Sequence, residues 1–231
     1  MPIARIGDKV IHYVHVPKCA GQAVETYMEE RFGAMGFLDN AYGSPNRRPP
    51  HWSRTSPQHA DAATMQKLFP PGFFDARFAV VRHPASRIKS SYDYERKMGR
   101  IRPGQSFAGW LGSLPAERHR DRFARDNHVR PMTEMVPEDT DVFRLEDGFD
   151  ALVKWFDDLA GDQAPPRKIP KGHSTDDLPR IGGRLQRSLG RWLDKGPGVL
   201  DPALCKTIHS LYCEDYERFG YGIFDPLEHK A

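Results

Sequence analysis

The run His15-Val16-Pro17-Lys18-Cys19-Ala20-Gly21-Gln22 sets a lysine and a glycine in a short turn between an apolar, β-branched stretch and a helix-patterned one. A strand–loop–helix of this kind presents several backbone N–H groups and the positive end of a helix to an anion. The lysine adds a mobile point charge that follows phosphate or sulfate oxygens. An ordinary βα turn with an exposed lysine is the plainer reading of the same residues. A second run, Phe78-Ala79-Val80-Val81-Arg82-His83-Pro84, carries an arginine at the end of a strand, and Ser90 follows on nearly the same side of the next helix. Arg82 in bidentate fashion and Ser90 through its hydroxyl would hold a second phosphate. A solvated arginine with an outward serine is the alternative. Neither G-x-x-x-x-G-K-[ST] nor G-x-G-x-x-G is present.

These residues need strands and helices to place them. Lys9–His15 reads as a buried strand, bounded by Gly7-Asp8 and Pro17. Val24, Tyr27, Met28 and Phe32 fall close to helical spacing after the first turn. Gly33–Pro57 has no periodicity and reads as a long loop. His59–Leu68 is a helix candidate and Arg77–Val81 a second strand. Pro84 opens another helix to about Met98, and Gly99–Arg130 is polar, arginine-rich and helical in pieces. Asp141–Leu145 is a third strand, followed by an amphipathic helix ending near Gly161. After a Pro/Gly-rich stretch, Ala164–Gly198, one last helix runs from an Asp201 cap through Pro202 to Phe219. Strands alternating with helices predict an α/β fold, a parallel sheet flanked by helices, in a single domain spanning residues 1–231.

Composition narrows the function. The chain has 231 residues, 34 Lys+Arg against 31 Asp+Glu, and a net charge of +3. That balance is too mild for a dedicated nucleic-acid binder and suits an enzyme whose substrates carry a few negative charges. No apolar run reaches the length of a membrane span, and the amino terminus lacks a signal-peptide pattern, so a cytoplasmic protein is expected. Three cysteines without C-x-x-C spacing exclude a disulfide scaffold and a cysteine-rich zinc site.

Taken together the motifs resemble the sulfotransferases that modify carbohydrates. HVPKCAGQA and AVVRHPASRIKSSYDY carry the resemblance, with Gln58–Ala63, Asn127–Pro131 and Leu211–Tyr221 echoing further family segments in the same order. The resemblance covers most of the chain. It implies a fold akin to P-loop kinases and 3′-phosphoadenosine 5′-phosphosulfate as sulfuryl donor, with no metal. Lys18, Cys19, Ala20, Gly21, Gln22 and Ala23 would then hold the 5′-phosphosulfate, and Arg82 with Ser90 the 3′-phosphate. Lys18 would act in catalysis, and His59 would be the general base for a hydroxyl, expected on a glycan or another small acceptor. Gln22 and Ala23 depart from the hydroxyl residues usual in that loop, His83 replaces the usual Asn or Asp, and Met132 stands where Gln is usual.

Other candidates touch the acceptor. His51 is a rival base and Trp52 a stacking platform for a sugar, in a loop where aromatics also serve local packing. The run Glu117–Arg130, including His128 and Arg130, holds five arginines and two histidines against three acids. It would line a groove for an acidic glycan, or it is a solvated helix face. Two further readings share the architecture: a P-loop-type kinase, which the missing GK[ST] argues against, and a non-catalytic nucleotide- or glycan-binding module.

Overall fold

The apolar residues of Lys9–Val14 (β2) and Ala76–Val81 (β3) make both strands buried over their last four positions. Continuous apolar runs of this kind suit strands covered on both faces. The computed structural model describes residues 1–42, 53–170 and 195–228. The four strands run in the order β1-β2-β3-β4, with β1 at Ile3–Ile6 and β4 at Asp141–Arg144. β2–β3 and β3–β4 are parallel, as the strand–helix alternation requires. The sheet as a whole is nonetheless mixed, because β1 pairs antiparallel with β2. Gly7-Asp8 is a two-residue hairpin loop between the paired Ile6 and Lys9, and Gly7 takes the left-handed φ of 62° that such loops demand.

The chain divides into two compact units, Met1–Arg82 with Arg125–Gly172, and His83–Ala124 with His173–Ala231. The first contains the sheet. Its helices α1 (Gly21–Phe32) and α5 (Asp150–Ala160) bring Tyr27 and Phe156 to within 5.5 Å, and Phe156 meets Phe78 of β3 at 5.1 Å. Tyr13 of β2 stacks on Phe78 at 4.7 Å. Asp157 fixes this helix layer by pairing with Arg31 and with both guanidinium nitrogens of Arg167. The segment expected as one helix from His59 is instead a single 3-10 turn, Pro57–His59, followed by α2 (Ala62–Leu68). Asp61 separates them by capping α2, accepting a hydrogen bond from Thr64 N at 2.8 Å.

The second unit is helical: α3 (Pro84–Lys97), α4 (Phe107–Arg120), α6 (Pro202–Leu211) and α7 (Cys213–Phe219). Tyr92 packs on Phe107 and Trp110, and Gly198 N donates to Asp93 at 2.7 Å. The last helix of the sequence reading is broken in two at Tyr212, whose φ and ψ of −134° and 29° leave the helical region. Among the described residues no helix is long and apolar enough to cross a membrane.

Candidate functional site

β2 ends at Val14, and residues 15–20 turn directly into α1. Lys18 and Ala20 both hold left-handed backbone conformations, with φ of 68° and 62°. For residues with a Cβ that conformation costs on the order of 1–2 kcal/mol each, which a protein tolerates where function needs the shape. Ala20 gives α1 no side-chain cap, and no acidic residue lies in its first turn. The positive end of the helix therefore has no protein anion of its own in that turn. Arg82, directly after β3, donates from Nη1 to Lys18 O at 3.4 Å, so two basic residues converge at the carboxyl ends of the adjacent parallel strands. In open α/β sheets that is where ligands bind. Lys18, Ala20 and Arg82 are partly exposed, Gln22 is exposed, and Cys19, Gly21 and Ala23 are buried. Ser90 lies in α3 of the second unit and is partly exposed.

Gly21 has a specific reason. A Cβ there would lie 1.9 Å from Nε2 of His15, so the imidazole occupies the space that a side chain would take. His15 stacks on Tyr13 at 5.4 Å and its Nδ1 meets Glu25 Oε1 of α1 at 2.5 Å. Burial lowers the imidazole below its ordinary value, against the pull of Glu25. Burial alone would raise Glu25, but His15 holds that carboxyl below its usual range. The pair is a neutral imidazole donating to a carboxylate.

Beside it sits a second carboxylate–imidazole pair. The ring of His59 meets His15 edge to face at 4.9 Å and His128 at 5.1 Å. Nδ1 of His59 lies 2.8 Å from Asp126 Oδ2 and 2.8 Å from Ser56 Oγ. Asp126 also accepts from Ser56 N at 2.6 Å and Ser56 Oγ at 2.8 Å, while Asn127 Nδ2 donates to His59 O at 2.7 Å. Burial would raise the Asp126 carboxyl, yet the adjacent His59 holds it well below the usual range. A carboxylate on Nδ1 fixes the tautomer and directs Nε2 as the proton acceptor, the arrangement that general-base histidines use. The turn that supplies the carboxylate is strained: Arg125, Asp126 and Asn127 have φ of 54°, 53° and 60° in succession. Three left-handed residues in a row persist only when their surroundings over-determine them.

Arg130 is buried and ties the local structure together, bridging Asp61 at 3.1 Å, Asn127 Oδ1 at 2.9 Å and Glu134. His128 is buried on the His59 ring. His83 is buried too: its Nδ1 accepts from Ala85 N at 3.2 Å and caps α3, while Nε2 donates to Gly222 O. His51 and Trp52 lie outside the described residues. As for metal, His59, Asp126 and His128 each offer a ligand atom, all within 4.8 Å of one another.

The structure thus gathers Lys18, the loop to Ala23 and Arg82 in one region of the first unit, and His59 with His128 in a cluster of that same unit. Asp126 and the His15–Glu25 pair were not singled out from sequence. Asp126 lies 67 residues from His59, and no local pattern links them. Gly21 after a buried His15 was the one signal available. The family model for the sulfotransferase family matches residues 2–222. Comparison with curated proteins and with solved structures found no match.

Proposed function

Because the chain belongs to the sulfotransferase family, we propose that it moves a sulfuryl group from 3′-phosphoadenosine 5′-phosphosulfate to a hydroxyl of a carbohydrate or other small acceptor. The observation that carries this reading is the uncapped amino end of α1 with Lys18 in the loop before it and Arg82 bonded to that loop. Such a set suits a ligand with several anionic groups. The donor supplies an activated sulfuryl group on a phosphate leaving group. Lys18 and the first N–H groups of α1 neutralise charge at the leaving-group end, and they are oriented before reaction begins. Arg82 holds the 3′-phosphate. Nε2 of His59 takes the proton from the acceptor hydroxyl as its oxygen attacks, and Asp126 keeps the ring turned for that task. Gln22 offers its backbone N–H and its side-chain amide in place of side-chain hydroxyls. The reading is tested by incubating the protein with ³⁵S-labelled donor and a panel of hydroxylated glycans. Transfer of label to one acceptor class, lost in Lys18→Ala, supports it, and no transfer to any acceptor with the donor left intact counts against it.

A further inference from the structure

We propose that His59, Asp126 and His128 also form a binding site for a transition-metal dication of the zinc class, and that a metal held there stops His59 from acting as a base. Two imidazoles and one carboxylate, with ligand atoms within 4.8 Å of one another, are a donor set that suits zinc, copper or nickel. Magnesium and calcium prefer all-oxygen shells. The ligands come from two rigid pieces of backbone, the 3-10 turn Pro57–His59 and the left-handed turn through Asp126. Asn127 ties these turns together through His59 O, and Ser56 holds both oxygens of Asp126. Outer contacts of this kind orient metal ligands and raise affinity. His128 is 6% exposed, while the side chains of His59 and Asp126 are 12% and 24% exposed, so a cation has a route in on the Asp126 side and a shielded seat.

Metal at this position blocks the base whichever nitrogen of His59 it takes. At Nδ1 it replaces the proton shared with Asp126, and that proton passes through water to Nε2, which then has no lone pair to offer. At Nε2 it takes the lone pair directly. The ring stays neutral in both cases, and no electron transfer is involved. The inhibition rests on His59 being the base as proposed above. The binding does not.

The test uses the full chain freed of metal with a chelator, titrated calorimetrically with ZnCl₂ and, for its visible absorption, with Co²⁺. Wild type is expected to take up one equivalent, and Asp126→Asn and His128→Ala should each bind at least about tenfold more weakly. Binding of 3′-phosphoadenosine 5′-phosphate, measured in parallel, reports whether each variant is folded and whether the nucleotide reading holds on its own. Should a variant not fold, the wild type decides: Zn²⁺ should protect His59 from acylation by diethylpyrocarbonate, read by mass spectrometry. Absence of stoichiometric uptake, equal uptake in both variants, or an unprotected His59 overturns the site. Uptake at these residues with full transfer activity in the zinc-loaded protein overturns the inhibition.

Discussion

Gly21→Ala is the substitution whose cost follows most directly from the geometry. The new Cβ would stand 1.9 Å from Nε2, 2.3 Å from Cε1 and 2.6 Å from Cδ2 of His15. That ring cannot simply swing away, because it is 8% exposed and wedged between Tyr13 and His59. Moving it breaks the 2.5 Å bond to Glu25 and leaves a buried carboxylate without that partner. Losing a hydrogen bond to a charged group costs about 1.5–3 kcal/mol and overpacking about 1–3 kcal/mol, so a loss of roughly 3–5 kcal/mol is expected. Urea unfolding of four proteins measures it: wild type, Gly21→Ala, His15→Ala and the double variant. In the His15→Ala background the space is open and the pair already gone, so Gly21→Ala should cost less than about 1 kcal/mol. The reasoning is refuted if Gly21→Ala is as stable as wild type, or if it costs the same in both backgrounds.

Other outcomes follow from the same structure. Arg82→Ala should raise KM for the sulfuryl donor with little change in kcat, since a phosphate contact is made equally before and during reaction; steady-state kinetics showing the reverse split would remove Arg82 from that role. His59→Ala should lower kcat by at least about a hundredfold while 3′-phosphoadenosine 5′-phosphate still binds, and Asp126→Asn should lower kcat by at least about tenfold through loss of ring orientation. Full turnover in either variant contradicts the assignment. His12 stacks on Phe74, and among the described residues neither of its ring nitrogens has a hydrogen-bond partner; burial pushes its imidazole down to about 3. The unfolded chain binds that proton from about pH 6.5 downward, so stability falls as the pH drops between those values, by about 2 kcal/mol at pH 5. His12→Phe should flatten that part of the stability–pH curve, and an unchanged slope would show that His12 is not its source.

Much of the fold could be read from local pattern. β-branched and aromatic runs located β2, β3 and β4, and Pro84 and the Asp201–Pro202 pair marked helix starts. The misreadings have particular causes. Ile3–Ile6 is only four residues long, and Gly7-Asp8 reads equally as the edge of β2 or as a hairpin turn. Tyr212 carries no glycine or proline to announce the break between α6 and α7. The β2–α1 loop was legible because its candidate residues are contiguous in sequence, from Lys18 to Ala23. The histidine cluster was not, since His15, Glu25, His59, Asp126 and His128 come from four separate stretches of the first unit. The left-handed turn at Arg125–Asn127 uses Asp and Asn, which tolerate that conformation, but the same two residues are equally common in ordinary loops.

The central claim is that the β2–α1 loop and Arg82 bind a 3′-phosphorylated adenosine nucleotide for sulfuryl transfer. Thermal denaturation with 3′-phosphoadenosine 5′-phosphate, AMP and ATP, each at equal concentration, tests it most directly. At about a hundred times its Kd a ligand adds roughly 2.7 kcal/mol of stability. The account predicts such a gain for the 3′-phosphorylated nucleotide alone, abolished by Lys18→Ala and reduced by Arg82→Ala. Equal stabilisation by AMP, preference for ATP, or no shift with any of the three would contradict it.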